Sequence, residues 1–170
     1  MKLYLLGTNH ANQMIGCKYG KAEEFLKYLH HIKSKIKDID LVAEELNEEA
    51  LELWNATDSA CRIFANSFNL PHLYCDPNLK ERNTLGIKSE TEIRDKLGYG
   101  KCLNVEQDNE VQSRIASYFD LREDFWLKRI LHSNRNQCLF IFGTSHFDSF
   151  SKLLQSKNIE SIEITRNWGQ

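Results

Sequence analysis

Twice in this chain an apolar run of strand character stops at Gly-Thr-x-His. Leu3-Tyr4-Leu5-Leu6 leads into Gly7-Thr8-Asn9-His10, and Leu139-Phe140-Ile141-Phe142 leads into Gly143-Thr144-Ser145-His146. Short, continuously apolar runs suit strands buried on both faces, as in a parallel sheet covered by helices. The glycine is expected to permit a sharp turn, and the histidine then stands just past the strand's carboxyl end. That edge is where open α/β sheets bind ligands. His10 and His146 lie 136 positions apart, so a joint site demands a topology that brings their strands together.

The remaining pattern agrees with such a sheet. Ala22, Phe25, Leu26, Leu29, Ile32 and Ile36 recur at helical spacing over residues 20–37. Residues 40–46 read as a second strand, followed by Asn47 as helix N-cap with Glu48 and Glu49 behind it. That helix is expected to run to about Phe68, with Leu51, Trp54, Ala60, Ile63 and Phe64 in the core. His72-Leu73-Tyr74-Cys75 reads as a short strand closed by Asp76-Pro77. Residues 78–105 are the least regular, with a short helix at 90–97. Helical pattern covers 106–133 with a break near Asp120. Strand 138–142, a helix at 149–156 and a last strand at 161–165 complete the order. Alternation of strands and helices predicts an α/β fold: a single domain over 1–170, with a mostly parallel sheet of about five strands flanked by helices.

Four strand ends are chemically capable. The first offers His10, the second Glu44 and Glu45, the third Asp76 with Arg82 six residues on, and the fourth His146. Adjacent strand residues point to opposite faces, so Glu44 and Glu45 cannot both face one pocket. The pattern leaves open which does. Arg122-Glu123-Asp124-Phe125-Trp126 opens a helical stretch, with Arg122 and Trp126 on one face. Arg122 or Glu123 over the pocket is the functional alternative to a surface ion pair. Imidazole and carboxylate together suit either a divalent transition metal or general acid–base work. His10, Glu45, His146 and Asp76 are the candidate metal ligands, for zinc, manganese or cobalt. Without a metal, His10 is the candidate general base, with Arg82 or Arg122 steadying an anionic substrate or oxyanion.

Composition excludes several classes. A net charge of −2 and a pI near 6.3 give no global electrostatic case for nucleic acid or an anionic membrane. Five widely spaced cysteines without C-x-x-C argue against a zinc ribbon or disulfide framework. No apolar run is long enough for a bilayer span, and the residues before Gly7 are too few for a secretory core, so a reducing, cytoplasmic setting is expected. G-x-S-x-G, P-loop and dinucleotide fingerprints are missing. Nothing here specifies an oligomeric state.

The order Gly7–His10, Glu44 or Glu45, Gly143–His146 resembles the superfamily that groups TraB-like and Tiki proteins with erythromycin esterases and ChaN-like haem-binding lipoproteins. The Arg122–Trp126 helix is similar to one that some members place before the second motif. The resemblance implies a site at these residues. Its members differ in chemistry, from metal-dependent peptide cleavage to His/Glu lactone opening to haem binding, so it supports a site more than a reaction. The expectation is a hydrolase of a small-molecule or peptide-like substrate. A binding module that holds a small anion or cofactor without turnover is the alternative.

Overall fold

The computed structural model describes residues 1–169. Seven strands are formed: β1 (Lys2–Thr8), β2 (Met14–Ile15), β3 (Leu41–Glu44), β4 (Asp58–Ser59), β5 (His72–Tyr74), β6 (Gln137–Gly143) and β7 (Glu160–Trp168). Between them lie α1 (His10–Gln13), α2 (Ala22–Lys35), α3 (Glu48–Leu53), α4 (Ala60–Ser67), α5 (Leu79–Leu85), α6 (Glu90–Leu97), α7 (Val105–Ala116), α8 (Phe119–His132) and α9 (Phe147–Ser156).

Five strands make one sheet in the order β5-β3-β6-β1-β7, and every pairing in it is parallel. The topology expected from the two repeated motifs is present. β6 inserts between β3 and β1, with Thr8 opposite Gly143 and Glu44 opposite Ile141. The ends of β1, β3 and β6 are therefore neighbours.

Alternation within the strands sorts the core into two layers. Leu3, Leu5, Leu41, Ala43, Phe140 and Phe142 meet Trp126, Leu127 and Ile130 of α8 and Phe150 and Leu154 of α9. On the other face, Tyr4, Leu6, Val42, Leu139 and Ile141 meet Phe25 and Leu29 of α2 and Cys61 and Phe64 of α4. The three cysteines in these layers, Cys61, Cys75 and Cys138, are buried free thiols whose pKa values burial pushes up.

The expected helix over 47–68 is two helices. Asn47 does cap the first, its side chain accepting from Ala50 N–H at 2.8 Å. Asn55 then turns into the left-handed region at φ 51°, and Asp58–Ser59 pairs with Met14–Ile15 as a two-residue antiparallel ladder. Ser59 caps the second helix by accepting from Cys61 and Arg62 N–H. The interruption turns Trp54 outward: it is 52% exposed rather than in the core. The helical stretch 106–133 breaks at Ser117–Tyr118, slightly earlier than expected. Among the described residues, no helix is long and apolar enough to cross a membrane.

Candidate active site

Glu45 lies at the centre. It follows β3 directly, held by its own N–H on Ile141 C=O at 2.8 Å, and its side chain takes the α8 side of the sheet. Oε2 accepts the Gly143 N–H at 2.7 Å. Oε1 accepts Arg122 Nη2 at 2.6 Å. The same oxygen is 3.6 Å from His10 Nε2 and 3.5 Å from His146 Nε2. Both repeated motifs thus deliver an imidazole to one carboxylate oxygen.

The two histidines differ in surroundings. His146 is buried in a short 3₁₀ turn, Thr144–His146. Its ring lies 3.7 Å from that of Phe119 and 4.7 Å from Trp126, centroid to centroid. Nδ1 is 2.8 Å from Glu123 Oε1, an oxygen that also accepts from the Ser149 hydroxyl. A carboxylate there fixes the proton on Nδ1 and leaves Nε2 facing Arg122 Nη1, at 3.4 Å. His10 has a side chain 42% exposed and opens onto a cavity of about 280 Å³. Its Nδ1 is 3.3 Å from Nε2 of the Gln13 amide, a side chain that is itself fully buried.

Arg122 links the site to Asp76. Asp76 Oδ1 accepts from Arg122 Nη2 at 2.7 Å, Arg122 Nε at 3.1 Å and Trp126 Nε1 at 3.2 Å. Oδ2 accepts from Arg82 Nη2. Burial alone would push the Asp76 carboxyl up, but the guanidinium groups of Arg122 and Arg82 outweigh it and hold the pKa below the ordinary value. Burial likewise opposes charge on Arg122, and the Glu45 and Asp76 carboxylates reverse that and raise it.

A depressed folded-state pKa contributes stability that is present above the unfolded value and lost as pH falls through the folded one. The Asp76 contribution should therefore vanish on the acid side, below about pH 4. An Asp76→Asn variant should show a shallower loss of stability than wild type between about pH 4 and 2, read from urea midpoints across that range.

Glu44 and Glu45 do split between faces. Glu44 points to the α4 side, where Oε1 accepts from the Ser59 hydroxyl and pairs with His72 Nε2 at 2.7 Å. It is fully buried, away from the His10 cavity, and Oε2 has no partner among the described residues. Tyr74, its neighbour across the β3–β5 ladder, has its phenol pushed up first by burial and then by the Glu44 charge. His72 belongs to this structural cluster. Its adjacency to Glu44 depends on β3–β5 pairing and has no local sequence signal.

The two motif glycines serve close approach rather than a positive-φ turn. A Cβ on Gly7 would lie 2.0 Å from Arg166 O of the neighbouring strand, and one on Gly143 would come within 3.1 Å of both Glu45 Oε2 and His10 Nε2. Glycine at 143 thus leaves room for the carboxylate and imidazole to meet.

Of the four candidate metal ligands, His10, Glu45 and His146 converge, whereas Asp76 reaches them through Arg122. The guanidinium stands 2.6 Å from Glu45 Oε1 and 3.4 Å from His146 Nε2, so a divalent ion between those atoms would meet a fixed positive charge. Among the described residues, no group of His, Cys, Asp and Glu is arranged to hold a metal ion. In this arrangement the cation among Glu45, Asp76 and His146 is the Arg122 guanidinium.

Comparison with protein-family models, curated proteins and solved structures found no match to the chain.

Proposed function

We propose that the protein is a hydrolase of a small ester- or lactone-type substrate, with His10 as general base and Arg122 as the fixed cation of the centre. One observation carries this reading: of the two imidazoles on Glu45 Oε1, only His10 lines the open cavity, with Arg82 and Arg122 on the same wall. Water placed beside His10 Nε2 would give up its proton to that atom as it attacks the substrate carbonyl, and His10 would return that proton to the leaving alkoxide as the tetrahedral intermediate collapses and the acyl C–O bond breaks. Glu45 stabilises the imidazolium that forms. Arg82 Nη1, free of protein partners among the described residues, supplies a donor toward the developing oxyanion. His146, held by Glu123, keeps Glu45 and Arg122 in place from behind.

The base role sets a requirement on Gln13. With its amide nitrogen toward His10, Nδ1 accepts and the proton sits on Nε2; with its oxygen toward His10, Nδ1–H donates and Nε2 is a free base. The structure has the amide nitrogen toward His10, so catalysis as a base needs the Gln13 amide turned over to the second arrangement. Imidazole ¹⁵N NMR should find the neutral His10 proton on Nδ1 in wild type and in Gln13→Glu, and a mixture in Gln13→Leu. A proton fixed on Nε2 in wild type would reverse the role and make His10 an acid.

The deciding experiment is a panel of esters, lactones, peptides and phosphoesters with wild type, His10→Ala and His146→Ala, each purified without a His-tag and analysed for metal. Turnover of esters or lactones that is lost in His10→Ala supports the proposal. Stoichiometric zinc, manganese or cobalt that disappears in both variants would replace the guanidinium by an ion in this scheme. Saturable binding of small anions without turnover of any panel member would favour the binding module.

A further inference from the structure

The cavity beside His10 has two unlike halves. One carries His10, Glu45, Asp76, Arg82 and Arg122, and the other is made by Ala11, Met14, Leu46, Ala50 and Trp54. Met14 and Leu46 are 2% and 4% exposed and form a floor, whereas Trp54, at the end of α3, is half in solvent at the rim. Trp54 thereby sets a large aromatic beside the charged groups at the opening of this cavity. It is there because the ladder Met14–Ile15 with Asp58–Ser59 ends α3 early and swings Trp54 over the opening.

From this we infer that the substrate brings an apolar ring or compact alkyl group into the Met14–Leu46–Ala50–Trp54 half, and sets its carbonyl against His10 and Arg82. The inference rests on the hydrolase reading for the carbonyl and on the cavity alone for the apolar group. Size restricts the class further. A cavity of about 150 Å³ holds one benzene, so about 280 Å³ accepts one ring together with its reacting group. Any larger remainder of the substrate would stay outside the opening. The substrate class is a monocyclic-sized aryl or alkyl ester or lactone, and its product is the corresponding small amphipathic acid.

The product acid gives a probe that needs no turnover. Isothermal titration should show phenylacetate binding about tenfold to a hundredfold more tightly than acetate, since the two differ only in apolar area. Trp54→Ala should weaken phenylacetate about tenfold and leave acetate unchanged. Ala50→Glu, which plants a carboxylate in the apolar half on a helix that tolerates it, should abolish the preference while the thermal midpoint stays within a few degrees of wild type. Equal affinity for the two acids, or a preference untouched by both substitutions, would overturn the inference. A preference that follows Trp54 while wild type turns over no aryl ester or lactone faster than His10→Ala would keep the ligand class and remove the hydrolase reading.

Discussion

Replacing Arg122 by methionine is expected to cost the fold about 3–5 kcal/mol, the largest stability effect of any single change at the site. The side chain is 13% exposed and neutralises two carboxylates that are themselves 1% and 7% exposed. Methionine would fill much of the volume and even keep contact with Trp126, whose ring the guanidinium now faces at 5.2 Å. What it cannot supply is charge. Glu45 would retain the Gly143 N–H and Asp76 would retain Arg82, but Glu45 would lose its closest cation and Asp76 one of its two. The urea midpoint of the variant should therefore fall well below that of wild type at pH 7. The gap should narrow below about pH 4, as the pH falls through the depressed Asp76 pKa and wild type loses its advantage. A cost below about 1 kcal/mol, the range of exposed ion pairs, would show the two carboxylates to be solvated and the pairing weak.

His10→Ala should do the opposite: a large loss of activity with little loss of stability. A general base contributes about 100- to 10,000-fold to rate. Substitution at a half-exposed side chain outside the core shifts stability by roughly ±0.5 kcal/mol or less. The comparison with His146→Ala sharpens the assignment. His146 is walled in by Phe119, Trp126 and Glu123, so its removal should lower the thermal midpoint as well as the rate. Rates and melting curves on the same preparations separate the two roles. Ester or lactone turnover that survives both substitutions would defeat the site.

β1, β3, β5 and β6 were legible as apolar runs ended by punctuation and β7 as the alternating Ser161–Thr165, and their parallel arrangement followed from the helices between them. The meeting of His10 and His146 was legible as a requirement, since a repeated motif at two strand ends has a joint use only if those strands lie side by side. Other features depended on tertiary context. Alternation said that Glu44 and Glu45 must part, but which one joins the histidines is decided by α8 covering one face and α4 the other. Glu123 could be named beside Arg122. That both are used, one on His146 and the other on Glu45, reflects the depth to which the start of α8 is buried. The α3–α4 break had a local signal in Asn55-Ala56-Thr57-Asp58-Ser59, a cluster of turn formers and caps that the surrounding apolar spacing outweighed.

The insertion of β6 between β3 and β1 also governs when this molecule can first exist. Among the described residues β1 pairs with β6 and β7, so during synthesis it finds no hydrogen-bonding neighbour in this sheet until residues beyond 137 have been added. At about 5–20 residues per second, that leaves Leu3, Leu5 and Leu6 without their sheet partners for a period on the order of ten seconds. Folding must close a loop of most of the chain before its central pair forms, a high-contact-order step that is slow by nature. The proposed site thus assembles only once β6 has been made: a chain that stopped short of it would carry His10 and Glu45 with no β6 to bring them together.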